Sequence, residues 1–292
     1  MIKYNPKNWY KLIFALHKSD TLRILWKELL YIGVFSLILA YLVINFGSHI
    51  VILEKLTTVY SLVGFVISLL LVFRTNTAYD RWWEGRKQWG AIVNDSRNLA
   101  IKISTHTEDA DTRDFFRRMI ANFSSAMKEH LREGVILDEL ELTAEERSIL
   151  ERKDHVPSAI VQLLYQRVQD LKRRGEVTEE AAIVLDTNLN ALLNNLGACE
   201  RIKNTPIPYS YMLFLKKFIV IYVGTLPLAF VSVFGYYAAI ISTFVFYVLV
   251  SMEVLAEEIE DPFGNDDNDL PTDNLCKKIK DNVDEIFGDK VL

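Results

Sequence analysis

Cysteine is nearly absent from this chain. Its two cysteines, Cys199 and Cys276, lie far apart and in no CxxC pair. A disulfide framework or zinc–thiolate site is therefore not expected, and a reducing compartment suits both thiols. Glycine and proline are few and scattered, so no low-complexity linker or repeat stands out. Five histidines, among them His49, His106 and His130, fall in no metal-ligand spacing and are assigned no role. There is no nucleophile motif, phosphate loop or zinc set, so an enzyme is not expected. A net charge of −5 gives no case for nucleic acid as a partner. The opening Met1-Ile2-Lys3-Tyr4-Asn5-Pro6 lacks a signal peptide's apolar core and small-residue cleavage site. No alternating strand pattern of useful length occurs, which leaves an all-α fold as the expectation.

What the chain does have is apolar length. Half its residues are apolar and about a quarter are charged, a mix that suits membrane helices joined to a sizeable water-exposed part. Residues 29–46 and 56–73 are each about as long as a helix needs to cross the hydrocarbon core. From Phe218 to Met252 no charge occurs. A single helix of that length would rise roughly 50 Å, well beyond a bilayer. The Phe234-Gly235-Tyr236 break divides it, and spans at 209–234 and 236–254 fit. The first of these takes in Lys216 and Lys217, which snorkel or face water. Four transmembrane helices are expected.

Orientation follows from the basic residues. Lys18, Arg23 and Lys27 precede the first span, and Arg74, Arg81, Arg86 and Lys87 follow the second. Lys216 and Lys217 sit near the start of the third. The link between the first two spans offers only Lys55, and the Gly235 turn offers nothing. The positive-inside rule then places both termini and the long middle segment in the cytosol, in a cell inner membrane.

The middle segment, 74–208, reads as helical throughout. Ile92, Ser96, Leu99 and Ile103 recur at helical spacing; so do Phe115, Met119, Phe123 and Met127. Leu164, Val168 and Leu171 form another stripe, and Ala182, Leu185, Leu189, Leu192, Leu193 and Leu196 a fourth. Gly175 ends one helix and Thr178 caps the next. Glu145, Glu146 and Arg147 read as a solvated face. The tail, 255–292, is acidic, with a last amphipathic stretch from about Asp273.

Three blocks resemble a known family. Phe73-Arg74-Thr75-Asn76-Thr77-Ala78-Tyr79-Asp80-Arg81-Trp82-Trp83-Glu84, directly after the second span, resembles the bestrophin signature. Glu257-Glu258-Ile259-Glu260-Asp261-Pro262-Phe263-Gly264 and the following Asn265-Asp266-Asp267-Asn268-Asp269 are similar to that family's acidic cluster after the last span. Gly197 to Ile202 and Thr205 to Tyr209 resemble its bacterial branch. The blocks stand in the right order around four spans. Arg81, Trp82 and Trp83 are read as structural, in an interfacial belt or a subunit contact.

The resemblance implies a homopentameric ion channel in a lipid bilayer, with one pore on the symmetry axis. Its apolar neck would fall on Phe65, Leu69 and Phe73 of the second helix, spaced to share one face. Five copies would stack three apolar rings, which gate by dewetting. Such a stripe also packs against lipid or a neighbouring helix, and spacing alone does not choose. Gly64 and Ser68 allow close approach on an adjacent face. The lower constriction maps to Glu180. Five carboxylates there would favour cations, although Glu179 and Glu180 also read as plain helix-start acids. In animal members the acidic loop holds calcium. The matching ligands here are the carbonyls of Glu258 and Asp261 and the side chains of Asp266 and Asp269, hard oxygens that suit that ion; a solvated acidic loop is the other reading. No cofactor is required. The acidic exit and tail lean toward sodium-like cations as the permeant ions; a chloride channel of the same architecture, or a membrane-anchored signalling module, is the alternative.

Overall fold

The computed structural model describes residues 21–46 and 51–288, the side chains of 51–55 excepted. Lys18, His49, both chain ends and the Lys55 side chain lie outside that description. The described residues divide into two compact units: one comprises those up to Trp82, Pro206–Pro262 and Asp266–Asp269, and the other Trp83–Thr205, Phe263–Asn265 and those from Leu270. Every regular element among the described residues is helical.

The first unit holds α1 (Thr21–Phe46) and the beginning of α2 (Val51–His106). A helical pair that follows much later in the sequence, Tyr209–Phe234 and Tyr237–Glu260, completes it. That pair is separated at Gly235, whose φ of 55° ends the first helix. Four helices of the described chain are long and apolar enough to cross a membrane. They meet through small residues. Ser36 and Ala40 of α1 are buried, as are Ala238, Ala239 and Ser242 on Tyr237–Glu260, which lets the backbones approach closely. Gly64 does the same beside Tyr222, whose hydroxyl donates to the Tyr60 carbonyl at 3.2 Å. A Cβ at position 64 would sit 2.5 Å from that hydroxyl. The apolar core gathers Ile67 and Leu71 of α2 with Leu215, Ile219 and Val223 of Tyr209–Phe234, and Phe246 and Leu249 of Tyr237–Glu260.

Although the sequence places an end of the second span at Phe73, no helix boundary occurs there: α2 continues to His106. The chain has no proline between Pro6 and Pro157, so nothing breaks the backbone ladder. At 56 residues α2 is about 84 Å long, far more than a bilayer's thickness.

The second unit contains the rest of α2, then α3 (Ala110–His130), α4 (Ala144–Leu150), α5 (Val156–Arg173) and α6 (Glu179–Asn204). The pair already described become α7 and α8, and α9 (Thr272–Gly288) returns to this unit. The predicted stripes are its core: Ile92, Leu99, Ile103, Met119, Phe123, Met127, Leu164, Leu171, Leu185, Leu189 and Leu192 are buried. Helix starts carry the expected chemistry. Asp109 accepts from the Thr112 N–H at 3.1 Å, and Thr178 from the Ala181 N–H at 3.3 Å. Gly175 takes a φ of 79° just past α5. Glu146 departs from the solvated-face reading. It is buried, closes a capping box with Thr143, and accepts two bonds from Arg118 at 2.5 and 3.0 Å. Both cysteines are buried and free, and burial pushes each thiol up to about 12.

Candidate functional site: an exposed apolar stripe on α2

Within its unit, α2 has two distinct sides. Ile67, Leu71, Arg74 and Ala78 are buried, at helical spacing, on one of them. Phe65, Leu69 and Phe73 lie on the other and are 66%, 45% and 56% exposed. Nothing in their own unit covers these large apolar side chains, so lipid, a second chain or a pore must face them. The side continues past the three. Leu62 precedes them, and Asn76 and Asp80, both exposed, follow Phe73 at spacings that keep them on it. Sequence reasoning attached no role to Asp80, because inside a recognised motif it reads as one more signature position.

The buried side holds a charge cluster. Arg74 is fully buried, and its Nη2 donates to Glu260 Oε2 at 2.6 Å. Its Nε lies 3.7 Å from Glu253 Oε2, an ion pair without a hydrogen bond. Glu260 also accepts the Ile207 N–H through Oε1, at 2.8 Å, and its carbonyl accepts from Arg81 Nε at 3.1 Å. Trp82 Nε1 donates to the Asn268 carbonyl at 3.0 Å, and Asn268 Nδ2 donates to Glu258 at 2.6 Å. Arg74, Arg81 and Trp82 of the signature block are therefore hydrogen-bonded to the acidic block that begins at the end of α8. Arg81 and Trp82 have a structural role, which is to hold the acidic loop.

The chain matches the bacterial/fungal bestrophin family over residues 1–285. It belongs to the bestrophin family. A voltage-dependent anion channel-forming protein from Nostoc sp. is 33% identical to it over 287 residues, 96% of this chain and 92% of the relative. YneE of Escherichia coli K12, which carries the same description, is 32% identical over 283 residues, with 96% and 92% covered. The crystal structure of a bacterial bestrophin homologue from Klebsiella pneumoniae superposes with a TM-score of 0.82 at 28% identity, covering 90% of this chain and 98% of that one. With its four long apolar helices, this bestrophin is a membrane protein.

Of the four residues that the bestrophin resemblance assigns to calcium, Asp269 fits the ion best. It is almost fully buried; its Oδ2 accepts the Asp266 N–H at 2.7 Å, while Oδ1 has no hydrogen-bond partner among the described residues. Burial pushes its carboxyl up to about 6. A hard cation would relieve both costs. Asp266 is exposed, and Glu258 Oε2 accepts from Asn268 Nδ2. The pH dependence has a definite sign. The raised carboxyl favours the neutral form in the fold, so its contribution is full below about pH 4 and lost as pH rises through about 6. Asp269→Asn should flatten the fall in Tm over that window, read by thermal unfolding in detergent. Added calcium should raise the wild-type Tm at pH 7 and leave that of Asp269→Asn unchanged. A wild type without any calcium response would end the calcium reading.

Glu180 is the second residue of α6 and exposed. Its own backbone N–H and the Thr178 hydroxyl hold its carboxyl below the usual range. These are the surroundings of a helix-start acid. One turn on, Ile183 is 66% exposed and Val184 49%. The start of α6 thus presents apolar side chains beside Glu180, which the sequence search for a constriction passed over.

Proposed function

We propose that this protein is a pentameric ion channel of a cell inner membrane, with both termini and the helices of its second unit in the cytosol. The observation that carries the reading is the side of α2 bearing Phe65, Leu69 and Phe73, which its own unit leaves bare. Five such sides around an axis make stacked apolar rings, and ions pass only when the rings wet. A membrane anchor for a recruiting module would need no such rings. Purified in detergent, the protein is expected to have the mass of five chains.

Anions are the favoured permeant ions. The leaning toward sodium that Glu180 and the acidic tail gave is replaced, because relatives matched over almost the whole chain are described as anion channel-forming. The helix-start surroundings of Glu180 also support a role outside the pore. Asp80 is the formal charge that follows the apolar rings on the same side of α2, and its negative field opposes anions. In planar bilayers under asymmetric sodium chloride, the reversal potential should lie toward chloride. Asp80→Asn should move it further that way, most at low salt, where screening is weak. Glu180→Ala should leave it in place. A wild-type reversal potential on the sodium side would overturn the anion reading, and a shift in Glu180→Ala would return that residue to the pore.

A further inference from the structure

Three side chains that no sequence spacing connects converge in the second unit. His130 is the last residue of α3, His155 is the N-cap of α5, and Glu200 lies on α6. His130 Nε2 is 2.7 Å from Glu200 Oε1, and His155 Nε2 is 2.6 Å from the same oxygen. The two imidazole rings lie tilted with centroids 4.5 Å apart. Among the described residues this is the one group of three or more such side chains whose ligand atoms all lie within 4.8 Å of one another.

We infer that His130, His155 and Glu200 form a binding site for a zinc-class divalent cation. Two imidazole nitrogens and a carboxylate oxygen are the donors that borderline metals select, and three protein ligands leave a fourth position to water. Hard calcium prefers an all-oxygen set and is not expected here. The site is reachable, since the three side chains are 27%, 40% and 26% exposed. It is also held by helices, so little has to be ordered on binding.

The proton bookkeeping is simple. Without metal, an ionised carboxylate can only accept, so both Nε2 atoms carry the hydrogens that point at Glu200. An incoming cation takes the lone pairs at both Nε2 positions, and each ring's proton moves through solvent to Nδ1. His155 Nδ1 then stops accepting the Ser158 N–H, a contact already long at 3.3 Å. The present contacts are hydrogen-bond distances, shorter than the spacing of ligands around a tetrahedral metal, so the two rings must draw back from Glu200 by a fraction of an ångström. Three separate elements then share one ion, which ties the ends of α3 and α5 to α6.

The test is metal content and thermal stability of the full-length protein in detergent, equilibrated with micromolar zinc chloride. One zinc per chain and a raised Tm are expected. His155→Asn removes the imidazole but keeps a good N-cap, so the variant should fold. His130→Gln and Glu200→Gln supply two further variants of similar size. Each should lose most of the zinc and the Tm response, with helicity and elution volume unchanged. A wild type that binds no zinc at these concentrations would overturn the site. So would variants that retain one zinc per chain, which would place the ion elsewhere.

Discussion

An Arg74→Met chain should lose about 3–5 kcal/mol of stability, the cost of leaving buried charge without its partner. Arg74 pairs with two carboxylates, Glu253 and Glu260. Neither Glu253 oxygen has a hydrogen-bond partner among the described residues. Removing the guanidinium leaves two acids facing each other at a buried site. It also disturbs Glu260, which holds the Ile207 N–H and whose backbone meets Arg81. The expected result is a large drop in Tm or in the yield of correctly sized protein from detergent columns. Adding Glu253→Gln to Arg74→Met should recover part of the loss, since it deletes one uncompensated charge. A wild-type Tm for the single variant would show that the cluster contributes little.

Replacing Phe65, Leu69 and Phe73 together with alanine should have the opposite profile, with little effect on folding and a large one on current. The three side chains are exposed in their own unit, so truncation opens no cavity there. In the proposed pore they set the width and dryness of the neck. A wider ring with less apolar wall holds water more stably, so ions pass more often. The triple variant should conduct more, or stay open more, with ion selectivity little changed because the rings carry no charge. Unchanged current from a well-folded triple variant would mean that another surface lines the path.

Much of this molecule is legible in its residues because the signals are long. Charge-free runs, the Gly235 break and the leucine stripes each integrate over many positions. The features that escaped rest on single contacts between distant segments. Glu146 looks like one of three surface charges until α4 brings it to Arg118, 28 positions away. His130 and His155 show no ligand spacing because Glu200, which joins them, comes from a third helix. The assignment of Phe65, Leu69 and Phe73 to a neck comes only from the resemblance. The structure adds that their side of α2 is bare, which spacing alone could not distinguish from a buried stripe. Glu180 illustrates the reverse case. A helix-start acid and a pore charge look alike in the sequence, and the Glu180→Ala reversal potential separates them.

The most direct measurement of the central claim is thiol mapping of α2 in a conducting channel. Cys199 and Cys276 are both buried, which shields them from an aqueous reagent. Leu69→Cys and Ile67→Cys place one thiol on each side of the helix, 45% and 0% exposed in the native residues. A charged, membrane-impermeant thiol reagent reaches a side chain only through water. It should cut the current of Leu69→Cys and leave that of Ile67→Cys unchanged. An insensitive Leu69→Cys, confirmed folded and conducting, would place that side of α2 in lipid or against a neighbour and contradict the proposed pore.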